Sequence, residues 1–379
     1  MAEVHGKCDD RFTMVRDAFA SNFDQGLEVG ASVAVTLGGE LVVDLWGGHT
    51  DEARTTPWER DTITNVWSTT KTMTALCALI LADQGEIDLH APVATYWPEF
   101  AAAGKEGVTV AHLLGHTAGL PGWEEPVGPE VLYDWERATS LLAAQAPWWE
   151  PGTASGYHAV TQGYLVGEVV RRVSGRSLGT FFAEEVARPL GADFHIGLPP
   201  EHDARVARVV PQPNPSLTGG AAGGMTARAL SNPAIGAEES WEEAWRRAEI
   251  PAAGGHGNAR SVALVQSVLS CGGEARGVRL LSEAGCDAVF EVQADGVDLV
   301  LGIPLRLGTG YGLNSPHTPL SPNPRTCFWG GWGGSLVVND LDARLTIAYV
   351  MNRMGEGTTG DMRGVSVVLS TFAALAGAG

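Results

Sequence analysis

The chain keeps its β-forming runs at its two ends and its helical periodicity in between, and this separation limits what it can fold into. Near the start, Ala31–Leu37 and Glu40–Trp46 flank Gly38-Gly39, the pattern of a hairpin. Near the end, 328–339 and 343–352 alternate around the turn Asp340-Leu341-Asp342. From about residue 68 to 290 the pattern is mainly helical, broken by loops rich in Pro and Gly. Helices are predicted over 9–27, with Phe12, Val15, Phe19 and Phe23 at helical spacing, and over about 360–376. Strands from both termini must share one sheet to bury their apolar faces. The expected class is therefore α+β: an antiparallel sheet flanked by the terminal helices, plus an inserted, mainly helical lobe. Residues 1–65 with 291–379 are expected to form the sheet lobe and 66–290 the helical lobe, with the active site in the cleft between them.

Composition removes several classes of function. A 379-residue chain that is 44% hydrophobic can build a large core. No apolar run reaches the ~18–20 residues a membrane span needs. The formal charge of −19 argues against nucleic acid and against anionic membrane as partners, since both require a surplus of Lys and Arg. The first ten residues lack the apolar region of a signal peptide. The five cysteines, Cys8, Cys77, Cys271, Cys286 and Cys327, are odd in number, widely spaced and free of any CxxC pattern. They read as free thiols, and a cytoplasmic location is expected.

The same composition draws attention to one lysine. There are 22 Arg but only three Lys: Lys7, Lys71 and Lys105. Lys71 falls in Val66–Gly85, a predicted helix whose middle is apolar nearly all round and which should be buried. Ser68 and Thr69 can cap its start, and Gly85 fits its end. Ser68 and Lys71, three residues apart, share a face. Burial disfavours the ammonium, and a neutral amine beside a hydroxyl is a general base that makes the hydroxyl a nucleophile. The same residues also fit a plain cap and a lysine that snorkels to solvent.

Ser68-Thr69-Thr70-Lys71 resembles the SxxK box of the serine β-lactamase and penicillin-binding-protein superfamily. Ile87-Asp88-Leu89, Val108-Thr109-Val110 and His112-Leu-Leu-Gly-His-Thr-Ala-Gly-Leu120 look like its class C β-lactamase and family VIII carboxylesterase branch, and the likeness runs from about residue 10 to 375. In that family a tyrosine hydroxyl faces the serine, and the resemblance assigns this role to Tyr157, in Pro151–Ala159. A neighbouring lysine ammonium would lower the phenol's pKa. Tyr157 and Lys71 would share the proton of Ser68, with either as the resting base. The β-lactamases of the branch carry Tyr-x-Asn; this chain has Tyr157-His158-Ala159. They also carry Lys-Thr-Gly on an edge strand; here Trp329-Gly330-Gly331 takes that place, as in many family VIII esterases. The resemblance implies an oxyanion hole made of the backbone N–H groups of Ser68 and Trp332. It also implies a substrate site at Trp329, Gly330 and Gly331 without the cation that would hold a β-lactam carboxylate. His158 and Trp123 are further candidates for the substrate pocket.

Other signals are weaker. Gly175-Arg176-Ser177-Leu178-Gly179 matches GxSxG, but helices on both sides, 163–173 and 178–186, make it a helix–turn–helix junction, and Ser177 is assigned no catalysis. His112 and His116 have the spacing of metal ligands but no third partner, and a structural role is expected. His256 and Asn258 begin a helix and can cap it or rim the cleft; Trp148 and Trp149 can line a pocket or belong to the core; 238–247 reads as an exposed charged helix. The expected function is hydrolysis of short-chain or aryl carboxylic esters through an acyl-enzyme on Ser68, with no metal or organic cofactor and a small-molecule ester as substrate; the sequence does not give the oligomeric state. The alternatives are a β-lactamase or D-Ala peptidase, an acyltransferase using the same acyl-enzyme, and an inactive binding protein on the same fold.

Overall fold

The computed structural model describes residues 3–212 and 224–377. Its largest element is a nine-stranded, wholly antiparallel sheet. From edge to edge the strands are Val4–Cys8, Glu40–Gly48, Gly30–Leu37, Leu345–Met351, Leu336–Asp340, Thr326–Gly330, Gly312–Leu313, Pro304–Leu307 and Ala294–Val297. The two ends of the chain meet at the third and fourth strands, in register from Leu345 opposite Leu37 to Met351 opposite Ala31. The architecture is the α+β arrangement expected.

The period-2 alternation of these central strands decides what covers each face. Val33, Val35, Ile347 and Tyr349 point to one side, where they bury Phe12, Val15 and Phe19 together with Val367 and Val368. These residues come from the terminal helices Thr13–Asp24 and Met362–Ala376 and the turn before the first. Ala34, Ala348 and Val350 point to the other side, into the larger core. There the helix Ala259–Ser270, capped by Asn258 and Ser261, packs on the sheet.

The helical region centres on Thr70–Asp83, in which every residue from Thr70 to Leu81 is buried. It ends where Gly85 adopts φ 77°, so the Gly expectation holds. It packs against Thr161–Ser174. A second, four-stranded sheet joins Ile63–Asn65 to Gly255–Gly257 and Val206–Ala207, which fixes the backbone leading into Ser68.

One expectation needs correction. The run 328–339 is not a single strand. Thr326–Gly330 and Leu336–Asp340 pair antiparallel, and the chain reverses at 331–335. Gly333 and Gly334, at φ 87° and 133°, make the reversal possible. Trp332 therefore lies in a turn, not on a strand.

Lys105 shows how a buried lysine is satisfied without chemistry. Its Nζ donates to the carbonyls of Ala102 at 2.7 Å and Ala143 at 2.9 Å, and to that of Gln145. Lys105→Met would leave the buried Ala143 carbonyl without a donor, at ~1–3 kcal/mol, while the more exposed carbonyls of Ala102 and Gln145 can turn to water. Urea unfolding should show a loss of about 1–3 kcal/mol.

Candidate active site

Ser68 belongs to a tight turn, Trp67–Thr69, ahead of the long helix. Neither Ser68 nor Thr69 caps that helix with its side chain. Thr69 Oγ1 is instead 2.9 Å from Ser335 Oγ, which donates to the carbonyl of Val66 at 2.8 Å. Thr70 Oγ1 donates to the carbonyl of Trp67 and accepts from Gly255 N–H. These bonds lock the turn from both sides. Trp67 sits within it at φ 49°, a strained conformation for a bulky residue that persists only where its surroundings enforce it.

The Ser68 hydroxyl is thereby free for two other groups. Tyr157 Oη donates to Ser68 Oγ at 2.6 Å, and Lys71 Nζ lies 3.1 Å from the same oxygen. Lys71 Nζ also donates to the carbonyls of Ala159 at 2.6 Å and Ala252 at 2.9 Å. Burial holds the Lys71 pKa well below that of a free lysine. Burial likewise raises the Tyr157 phenol above its ordinary value, overriding the lowering by its bond to Ser68. The lowered phenol expected from a lysine ammonium is therefore not found, because desolvation acts on both groups and favours both neutral forms.

The turn 331–335 lies against this constellation. Gly331 N–H donates to the Ser335 carbonyl at 2.7 Å and Gly333 N–H to that of Gly357 at 2.8 Å. Arg363, buried and paired with Glu28 and Asp361, donates to the Gly333 carbonyl at 2.7 Å. Among the described residues, the backbone N–H groups of Ser68 and Trp332 have no acceptor. A Cβ at Gly331 would meet the Val66 carbonyl and Ser335 Oγ at 2.3 Å each. Backbone therefore reaches Ser68 only because no side chain intervenes. A narrow cavity opens beside Ser68 and Tyr157, walled by apolar groups that include Trp67, Val160, Ile235, Trp245, Leu301 and Trp332. No lysine, arginine or carboxylate is among its described lining residues.

Ser68, Lys71 and Tyr157 are thus in mutual contact, and Gly331 and Trp332 are beside them. Other candidates lie elsewhere. Trp329 is buried under the site, 5.6 Å from the Tyr157 ring and stacked on His116. Gly330 is pressed against the Thr359 carbonyl. His158 is fully buried, with Nδ1 bonded to the Gly156 carbonyl and Nε2 accepting from Leu120 N–H, so it braces the loop and does not face the cavity. Trp123 donates to the Ala138 carbonyl and packs on Tyr164 in the helical core, away from Ser68. Ser177 caps the helix that starts at Leu178 and donates to Glu249. His112 closes a capping box with Thr109, and His116 Nδ1 accepts from His158 N–H. No group of three or more metal-ligating side chains exists among the described residues. Asn258 caps its helix; His256, fully buried, donates inward to the Gly254 carbonyl. Sequence reasoning missed Trp67 and Trp245 as cavity walls. Trp245 was hidden in a charged segment that carries two indoles, Trp241 and Trp245, and nothing in the sequence marked which of them is buried.

A constellation of this kind, at the end of a buried helix beside an antiparallel sheet, defines the serine hydrolases of the β-lactamase fold. The beta-lactamase family matches residues 19–369 of the chain, and the chain belongs to that family. A crystal structure of a family VIII carboxylesterase superposes with a TM-score of 0.93 at 46% identity, covering 98% of this chain and 100% of that one. A penicillin-binding-protein homologue from Caulobacter crescentus gives 0.92 at 40% identity, over 98% and 100%. The esterase/beta-lactamase LipL of Mycobacterium tuberculosis is 37% identical over 93% of this chain and 83% of its own length.

Gly331→Ala should push the turn away from Ser68. Labelling of Ser68 by a fluorophosphonate, followed by intact mass, is expected to slow by about 10²–10³-fold, the worth of one displaced oxyanion donor.

Proposed function

We propose that this protein is a carboxylesterase that works through an acyl-enzyme on Ser68. One observation carries the reading: a single hydroxyl oxygen lies within hydrogen-bond reach of both a buried amine, at 3.1 Å, and a buried phenol, at 2.6 Å. With both groups neutral, a continuous chain of donors forms. Tyr157 O–H donates to Ser68 Oγ, Ser68 O–H donates to the lone pair of Lys71 Nζ, and the two amine N–H bonds go to the carbonyls of Ala159 and Ala252. Lys71 is then the resting base. As Ser68 attacks the ester carbonyl, its proton passes to Lys71. Tyr157 gives its own proton to the departing alcohol and regains one from Lys71. The tetrahedral oxyanion rests on the N–H groups of Ser68 and Trp332, each worth ~3–4 kcal/mol of barrier. Water, activated by the same pair, then releases the acid.

The narrow apolar cavity supports neutral esters with a short acyl or aryl group. A second reading, β-lactam hydrolysis, has support in the double name of the mycobacterial relative. Ala159 in place of the amide, and the lack of a lining cation, weigh against it. Transfer of the acyl group to another alcohol would use the same intermediate; adding a competing alcohol and following the products separates it from hydrolysis. A cytoplasmic site of action is supported by five free cysteines, four of them buried. No helix among the described residues is long and apolar enough to cross a membrane.

Ser68→Ala is expected to abolish hydrolysis of a p-nitrophenyl ester while Ser177→Ala stays near wild type; the reverse pattern would move the site. Lys71→Arg, which stays charged, should lower kcat/KM by about 10²–10⁴-fold. The pH profile follows from the two shifts. Lys71 must be neutral, so activity rises as pH climbs through its depressed pKa. Tyr157 must hold its proton, so activity survives to a pH above that of an ordinary phenol before it falls. A rate that rises only above the usual lysine range would overturn Lys71 as the base.

A further inference from the structure

We infer that Trp245 is the specificity-determining residue of the cavity, the wall that sets how long an acyl chain an ester can carry. The inference deepens the esterase reading above and rests on it. Ile235 and Leu301 are half-buried and form the rim of the cavity, while Trp245 is fully buried and forms its inner end. The neighbours of Trp245 in the short helix Glu243–Arg247 are exposed or half-buried, so the indole is what this helix contributes to the interior. Its N–H donates to Asn65 Oδ1 at 3.0 Å. Asn65 ends the strand Ile63–Asn65, which is paired on both sides, with Gly255–Gly257 and Val206–Ala207. The ring packs on Trp67, with 5.4 Å between centroids, and Trp67 meets Trp332 at 5.0 Å. A hydrogen bond at one edge and a ring against its face pin the indole, so the wall does not yield to a longer chain.

The place of the indole assigns it to the acyl half of the substrate. Tyr157, the proposed acid, lies where the alcohol departs, with its ring against His116 and Trp329. Trp245 packs instead on the residue before Ser68, and through it on Trp332, whose N–H is proposed to hold the carbonyl oxygen. An acyl chain that leaves the carbonyl away from Tyr157 therefore runs along indole faces and ends on Trp245. Behind the indole lies further space. Asn65, to which it is bonded, borders a separate pocket together with Ser240, Arg246 and His256. A smaller side chain at 245 thus leaves a void that its surroundings fill only in part, and a longer chain can enter it. Each methylene that a rigid apolar pocket accepts or refuses changes kcat/KM by about tenfold or more.

The test measures kcat/KM on p-nitrophenyl acetate, butyrate, hexanoate and octanoate, which lengthen the acyl group, and on methyl, butyl and octyl acetate, which lengthen the alcohol. Wild type is expected to lose about tenfold or more between butyrate and octanoate. In Trp245→Leu and Trp245→Ala the octanoate-to-butyrate ratio should rise by about tenfold or more, while the alcohol series keeps its wild-type slope. Trp245→Phe, which keeps a ring and loses the bond to Asn65, should melt lower yet hold the wild-type ratio. A role in folding alone would lower the rate on every ester alike and leave the ratio unmoved, and that result overturns the inference. So would a wild type that takes octanoate as readily as butyrate, a shift in the alcohol series in place of the acyl series, or failure of both smaller variants to fold. If wild type hydrolyses no ester of either series, the esterase reading fails instead. The wall is then decided by a crystal structure of Trp245→Ala under xenon: gas in the vacated space, open to Ser68, supports it, and a collapsed space overturns it.

Discussion

Everything at the site depends on an amine held where water cannot reach it. Lys71 is carried into the core by a helix that is buried on all sides from Thr70 to Leu81, and two backbone carbonyls meet its nitrogen there. Lys105 makes the comparison: its side chain is also out of contact with solvent, but three carbonyls surround its nitrogen. Three acceptors match the three hydrogens of an ammonium. Two acceptors match an amine and leave a lone pair, and at Lys71 the remaining direction is occupied by the Ser68 hydroxyl. One neighbour separates a lysine that only braces backbone from one that meets a hydroxyl.

The surrounding fold serves to bring backbone and phenol to that hydroxyl without adding charge. The central sheet joins the two ends of the chain, and its turn at 331–335 approaches Ser68 because glycine leaves room for it. Arg363, itself tied to Glu28 and Asp361, holds the turn from below through the Gly333 carbonyl. On the other side, a loop rigidified by His116 and His158 delivers Tyr157. The contacts on the backbone come from rigid groups, while the space for substrate is left apolar. In such a site the hydrogen bonds formed during reaction are not weakened by competing water.

The segment order, the antiparallel sheet from both termini and the helix bearing Ser68 and Lys71 were legible in the chain, because they follow from periodicity and from the rarity of lysine. The rarity signal was blunt, since Lys105 is buried for reasons of packing alone. Tyr157 could be reached only through resemblance, as no local pattern in 151–159 marks a phenol for chemistry. His158 and Trp123 were misplaced for a related reason: a histidine or tryptophan in a loop looks the same in sequence whether it lines a cavity or braces a backbone.

Sequence alone determined which elements form, because helix and strand periods are properties of neighbouring residues. It also determined that an amine and a hydroxyl three positions apart would share one helix face. Tertiary structure decided what that pair meets. The carbonyls of Ala159 and Ala252, the turn carrying Trp332 and the indole of Trp245 reach the site from distant parts of the chain. Their arrival is set by packing, which buries the amine and so decides its charge.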